Sequence, residues 1–189
     1  MPSFFYKGMK TMTIYFTSDC HFNHRNVIDF CNRPYDNVDE MNEKLIENWN
    51  SVVSDDDEIY CLGDFGWQLN SSQLKEIGDR LKGHKHLIVG NHDKTKLHIK
   101  SQIWETVESY KKTNIGDRRI ILCHFPIFDF DNAYRGAVHL YGHLHKQIDL
   151  DEISNFHKNK NFYSYCVGAD FNNYTPISFE NIKEKLEII

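Results

Sequence analysis

The sequence predicts a mixed α/β domain, and three observations carry that expectation. Short β-branched and aromatic runs alternate with amphipathic helical repeats over the first hundred residues, whereas strand-like runs follow one another later. The chain of 189 residues is long enough for one domain with a substantial core. No internal repeat or Pro/Gly-rich linker divides it, so residues 1–189 are taken as one unit.

Residues 13–18 (TIYFTS) form the first strand. Asn23 is placed to cap a short helix that runs to about Phe30 and stops before Arg33-Pro34. Met41, Leu45, Ile46, Trp49, Val52 and Val53 recur at helical spacing, which predicts an amphipathic helix over about 38–53. A short strand over 58–62 precedes a helix over about 72–82, with Leu74, Ile77 and Leu81 on one face. The next strand covers 86–89, and 94–104 reads either as a short helix or as an irregular segment. Runs over 106–112 and 118–123 flank Asn114-Ile115-Gly116-Asp117, a hairpin connection. Further strands are expected at 137–141 and 161–168. Ser178 then caps a last helix carrying Phe179, Ile182 and Leu186.

Composition narrows the function classes. Apolar residues at 40% and charged residues at 26% exclude wholesale disorder, and no stretch has the roughly 20 apolar residues of a membrane helix. A net charge of −5 argues against a nonspecific polyanion binder, so nucleic acid is not the favoured partner. Five widely spaced cysteines without a C-x-x-C pair form neither a disulfide framework nor a thiolate zinc site, and they suit a reducing cytoplasm. Residues 1–11 lack a secretory signal's apolar core, and Met12 stands just before the first strand, which makes them a dispensable leader.

Eleven histidines depart from the ordinary, and their placement matters more than their number. Metal-capable residues gather where predicted strands stop: Asp19-Cys20-His21, Gly63-Asp64, Gly90-Asn91-His92-Asp93, His124, and Gly142-His143-Leu144-His145. Strand carboxyl ends converge on the crevice where open α/β sheets bind substrates. In D-x-H and H-x-H an extended chain puts both ligands on one side, and the adjoining glycines let backbone approach a crowded ion. Asp19, His21, Asp64, Asn91, His124, His143 and His145 exceed what one tetrahedral ion takes, but suit two divalent ions sharing a carboxylate. An O/N set without thiolate favours Mn²⁺, with Fe, Zn²⁺, Co²⁺ and Ni²⁺ as alternatives, over Ca²⁺ or Cu(I). Two such ions, two carboxylates and a bridging hydroxide leave about +1 at the centre, enough to draw phosphate to an acidic protein. Ions about 3.5–4 Å apart would clamp a phosphoryl group and generate hydroxide near neutral pH.

D-x-H, G-D, G-N-H-D, a lone strand-end His and G-H-x-H, in that order over residues 19–145, resemble the calcineurin-like metallophosphoesterase superfamily, in particular its compact, cap-less prokaryotic and phage-type members. The resemblance implies a four-layer αββα sandwich of two mixed sheets flanked by helices. It implies that Asp19, His21, Asp64 and His145 hold one metal, and Asp64, Asn91, His124 and His143 the other. His92 becomes the histidine that protonates the leaving oxygen, a role its position beside Asn91 also allows. Protein-phosphatase members continue as G-D-x-V-D-R-G, whereas this chain reads Gly63-Asp64-Phe65-Gly66-Trp67-Gln68, which argues against a phosphoprotein substrate.

Other residues carry competing readings. Arg25 and Asn26, at the start of a helix beside His24, are candidates to bind the substrate phosphate, as Arg33 and Arg135 are more weakly; the plain alternative is a solvated surface. Trp67 and Tyr134 can stack on a base or aryl group, although packing is the default for both. His139 shares strand parity with His143, yet a buried, satisfied histidine is its default. His84, His86, His98 and His157 read as surface residues, Cys20 and Cys123 as packing residues that face away from the metals, and Asp93 as a residue that orients its neighbours. The resulting expectation is a cytoplasmic dinuclear phosphoesterase acting on a small phosphate ester by metal-bound hydroxide, with diesters favoured over monoesters. A metal-dependent nuclease and a non-catalytic binding module on the same fold are the alternatives.

Overall fold

The computed structural model describes residues 12–188; the leader expected over residues 1–11 lies outside the described residues. Among the described residues nine strands form in chain order: β1 (Ile14–Thr17), β2 (Glu58–Cys61), β3 (His84–Ile88), β4 (Thr106–Glu108), β5 (Lys111–Ile115), β6 (Arg118–Leu122), β7 (Val138–Tyr141), β8 (Tyr163–Cys166) and β9 (Ile177–Ser178). The helices are α1 (Arg25–Phe30), α2 (Val38–Val52), α3 (Ser71–Arg80), α4 (Thr95–Ser101), α5 (Gln147–Asn159) and α6 (Phe179–Lys185).

Two mixed sheets result. In the first, ordered β4-β3-β2-β1-β9, only β9 runs antiparallel; in the second, ordered β5-β6-β7-β8, only β5 does. Parallel register aligns Thr17 with Cys61 and Cys61 with Leu87, so β1, β2 and β3 end at one edge. Phe16, Leu62 and Ile88 from the first sheet meet Ile120, Leu122, Val138 and Leu140 from the second in a shared core, which Phe179 and Ile182 of α6 close. On the outer face of the first sheet, Met41, Leu45, Ile46 and Trp49 of α2 and Leu74 of α3 cover Ile59, Cys61 and Leu87. Helix α5 lies against β8 on the far side of the second sheet. Two sheets face to face between helices are the expected αββα arrangement.

Local signals behave as their chemistry dictates in most places. Asn37 accepts the Glu40 N–H at the start of α2, Asn70 and Gln73 form a capping box at α3, and Ser178 accepts the Asn181 N–H at α6. Asn23 does not cap α1. It takes φ +65° and donates its N–H to Asn42 Oδ1, which leaves His24 at the cap position without a side-chain bond.

The run over 106–112 is split. Its first part pairs with β3 in one sheet, and after Ser109-Tyr110 the chain crosses to pair with β6 in the other. The hairpin turn is therefore Gly116-Asp117 alone, with Gly116 at φ +59°. Helix α5 and strand β9 escape the sequence reading. The first buries only His157 and the second is two residues long, so neither shows a clear apolar period. No helix among the described residues is long and apolar enough to cross a membrane, and all five cysteines are free.

Three histidines expected on the surface are buried, because each finds polar partners there. His86 lies between Glu58 and Thr106, His98 between Asp93 and Trp104, and His157 between Ser164 and the Ile127 carbonyl. His84 is the exposed one, paired with Glu105. His139 takes its default role, fully buried with the Ile127 N–H donating to Nε2 and with Nδ1 against the Ile121 carbonyl.

Candidate metal centre

Five strand ends deliver the seven ligand candidates to one place, though not by the alternation of extended chain. Asp19 and His21 follow β1 with φ +57° and +52°, and Asp64 and His143 take +51° and +69°. These left-handed turns, which Asp, Asn and His tolerate better than most residues, fold each side chain back over the end of its strand. The loops are laced together by backbone bonds: Asp19 N–H to the Gly63 carbonyl, and His21 N–H to that of Asp64.

Asp19 is fully buried. Ser18 Oγ donates to its Oδ2 at 2.6 Å, and the His143 N–H does so at 3.0 Å. Burial lifts its carboxyl to about 6 despite the pull of His124 and His145. Asp64 occupies the middle of the cluster. Its Oδ1 accepts the His92 N–H, while Oδ2 stands 3.5 Å from His124 Nε2 and 3.8 Å from His21 Nε2. Burial raises this carboxyl as well, but His124 overrides it and holds Asp64 at about 2. Asp93 supports the whole turn, accepting the N–H groups of Asp64, Gly90 and Phe65 while facing His98 Nε2 at 3.1 Å.

Histidine tautomers follow from the outer hydrogen bonds. His124 donates from Nδ1 to the Leu62 carbonyl at 2.7 Å, which leaves Nε2 facing Asn91 Oδ1 at 3.0 Å. His145 donates from Nδ1 to Asp170 Oδ2 at 2.8 Å, which turns its Nε2 toward His21 Nε2 at 3.3 Å. His143 Nδ1 also lies 3.0 Å from Asn91 Oδ1. Burial drives His21 down to about 3 and lowers His143. For His145 burial works the other way from the result, and Asp170, Cys31 and Asp19 hold it up at about 10. His21 Nδ1 has no hydrogen-bond partner, so the His21–His145 contact closes either as one N–H···N bond or, with that proton displaced, as two nitrogens turned to one cation. Ligand atoms of Asp19, His21 and His145 lie within 4.8 Å of one another, as do those of Asp19, Asp64 and His124. The donor set therefore fits divalent cations.

The glycines fit the same picture. A Cβ on Gly90 would run into Asp64 Oδ1, one on Gly142 into Ser18 Oγ and Asp19 Oδ2, and one on Gly63 would lie 2.5 Å from Gly90 N. Cys20 packs in the helix-side core, away from the ligands.

The remaining candidates separate. Arg25, exposed and paired with Asp29, and exposed Asn26 sit on the first turn of α1, close in sequence to His21. Arg135 does not join the cluster. It ends a 3-10 turn that feeds the amino end of β7, opposite the end that carries His143, and lines a polar depression with Arg118 and Arg119. Tyr134 shares that turn and packs edge-on against Phe162. Arg33 is buried, clasping Asp170 through Nε and Nη2 and donating to the carbonyls of Asp19 and Cys20. Asp170 is the site residue the sequence reading missed. It lies just past β8, so the strand-end rule that found the others also covers it. Trp67 reaches the rim, where its edge meets the His92 ring.

Fold and site together define a metal-dependent phosphoesterase, and sequence comparison agrees. Residues 12–160 match the family model of the calcineurin-like phosphoesterase superfamily domain, and the chain belongs to that superfamily. It is 34% identical over 180 residues to MJ1445 of Methanocaldococcus jannaschii, covering 95% of this chain and 94% of that protein. Identity to the Gene 66 protein of Mycobacterium phage L5 is 28%, across 72% of this chain and 79% of the phage protein. The crystal structure of AQ665 from Aquifex aeolicus, a protein of unknown function, superposes with a TM-score of 0.75 at 25% identity, covering 93% of this chain and all of that one.

Proposed function

We propose that this protein hydrolyses small phosphate esters, diesters ahead of monoesters, at a centre of two divalent cations, with Mn²⁺ the first choice. The carrying observation is the convergence of donor atoms, those of Asp19, His21 and His145 and those of Asp19, Asp64 and His124 each lying within 4.8 Å of one another. On this reading Asp19, His21, Asp64 and His145 hold one ion, and Asp64, Asn91, His124 and His143 the other. The ions supply Lewis acidity, acidifying bound water and neutralising phosphate charge.

The chain's own groups do the rest. Asp170 holds the His145 Nδ1 proton and so orients Nε2 toward the cluster, and the Leu62 carbonyl does the same for His124. Asp93 fixes the loop that presents Asn91 and His92. The His92 side chain is 38% exposed, its Nε2 lies 3.9 Å from Asp64 Oδ2, and its backbone is anchored to that carboxylate. It gives a proton to the leaving oxygen as the P–O bond breaks and water adds to phosphorus. Asn91 and His92 stand exposed at the mouth, which suits a phosphate carrying two ester arms. Arg25 and Asn26 on the nearby turn are the substrate-binding candidates. Five free thiols suit a reducing compartment, and we place the protein in the cytoplasm.

The test is metal-stripped protein reloaded with Mn²⁺ and given an aryl phosphodiester and its monoester side by side. Wild type turns over the diester faster. His92→Ala keeps both metals by elemental analysis and loses about 10²–10⁴-fold in kcat. Two bound metals with no turnover of either ester overturn the proposal.

A further inference from the structure

Two aromatic side chains flank the cluster, one from each sheet's loops, and the core requires neither. Trp67 follows Asp64 by three residues. Its N–H donates to the Phe22 carbonyl, and Phe22 bridges Gly66, so the segment is tied to the loop carrying His21. The Trp67 ring lies parallel on His24, with centroids 4.2 Å apart and planes at 9°, and its edge meets His92 at 4.9 Å. His24 is buried, and its Nδ1 has no hydrogen-bond partner. Its ring stacks on Trp67 and meets the His21 ring at 5.3 Å, tilted by 55°. Despite this backing Trp67 stays only half-buried.

Across the cluster, Phe125 directly follows His124. It is 45% exposed and meets the rings of His124 and His143 at 5.0 and 4.8 Å. Ring contacts thus run from Trp67 through His92 to His21, and from His124 and His143 to Phe125. A phosphoryl group held between these walls has one ester arm on each side. His92 protonates the arm that leaves, so that arm lies on the Trp67 side.

From this juxtaposition we infer that Trp67, backed by His24, is the stacking platform for an aromatic leaving group, aryl or nucleobase, and that Phe125 receives the retained arm. This rests on the phosphodiesterase reading above and deepens it: the preferred substrate is a diester with an aromatic leaving arm. Stacking on an aromatic side chain is sequence- and substituent-tolerant, because every such ring offers a π-face.

The experiment measures kcat/KM of the Mn²⁺-loaded enzyme for a methyl aryl diester and a methyl trifluoroethyl diester. The aryl-to-trifluoroethyl ratio falls about ten- to hundredfold in Trp67→Ala, mostly through KM, and recovers in Trp67→Phe. Phe125→Ala instead lowers the preference for a diaryl over a methyl aryl diester. Using the ratio removes any general damage to His92. Binding is read separately by calorimetry with phenyl phosphate, adenosine monophosphate and ethyl phosphate. The two aromatic ligands bind at least tenfold more tightly than ethyl phosphate, an advantage lost in Trp67→Ala, and the stronger of the two shows whether aryl or nucleobase is preferred. An unchanged ratio in Trp67→Ala, or equal affinity for all three ligands, overturns the inference. If neither diester turns over despite bound metal, the catalytic reading fails, and the calorimetry still decides the platform.

Discussion

Asp170→Asn tests whether the carboxylate behind His145 supports both the fold and the metal centre. Asp170 Oδ2 accepts from His145 Nδ1 at 2.8 Å, and the same carboxylate receives Arg33 Nε at 2.8 Å and Nη2 at 3.1 Å. Arg33 is fully buried and passes this anchoring on to the Asp19 and Cys20 carbonyls. Asparagine preserves the shape but removes the counter-charge, leaving a guanidinium uncompensated in the interior. Breaking a buried pair from one side costs about 3–5 kcal/mol. At about 2–4 °C per kcal/mol for a domain of this size, metal-free protein should melt roughly 10 °C lower. Loss of the bond that orients His145 should separately weaken the first metal about 10–100-fold. Calorimetric melting in chelator gives the first quantity, and Mn²⁺ titration against a competing chromophoric chelator well below the new Tm gives the second. An Asp170→Asn protein that melts with wild type and binds both ions with wild-type affinity would refute the reasoning.

Gly90→Ala drives a Cβ into the Asp64 carboxylate and to 2.5 Å from its amide. Overpacking there should cost about 1–3 kcal/mol by urea unfolding and lower metal content by elemental analysis. Asp93→Asn leaves one acceptor oxygen where three backbone N–H groups converge. It should destabilise by about 1–3 kcal/mol for each donor left unpaired, with a drop in metal content that Gly-loop disorder would show in amide exchange. His139 has its pKa pushed down to about 4 by burial, so the unfolded chain binds the extra proton between that value and its ordinary 6.5. Its contribution is complete above pH 6.5 and is lost as pH falls to 4, up to about 3 kcal/mol. The urea midpoint of His139→Gln should therefore change less between pH 7 and pH 5 than that of wild type.

The parts of the fold legible in the sequence are those whose burial has a period. Helix α2 presents Met41, Leu45, Ile46 and Trp49 to the core at helical spacing, and its bounds follow from that stripe. Helix α5 packs with a single buried residue, His157, and is correspondingly silent. The strand crossing after Glu108 is invisible because β-propensity does not say which sheet a residue joins. The ligands are legible because they are polar residues at strand ends, whereas Asp170 has no histidine beside it in sequence to mark it. Its partners, Arg33 and His145, lie 137 and 25 positions away. His86, His98 and His157 were misplaced for the same reason, since a buried histidine depends on distant acceptors that composition does not reveal.

The left-handed turns at Asp19, His21, Asp64 and His143 add a last step to this picture. Non-glycine residues there cost of order 1–3 kcal/mol each, and they persist only where surrounding bonds hold them. Here those bonds run between loops rather than within them: His143 N–H to Asp19, His21 N–H to the Asp64 carbonyl, and Asp64 N–H to Asp93. Each ligand loop is therefore held by the next. Its backbone is set before any cation arrives, and what the cation changes is confined to the side-chain donor atoms. A site built this way should bind metal without refolding. It also places substrate preference outside the ligand set, in residues such as Trp67 and Phe125 that border it and can vary without loosening it.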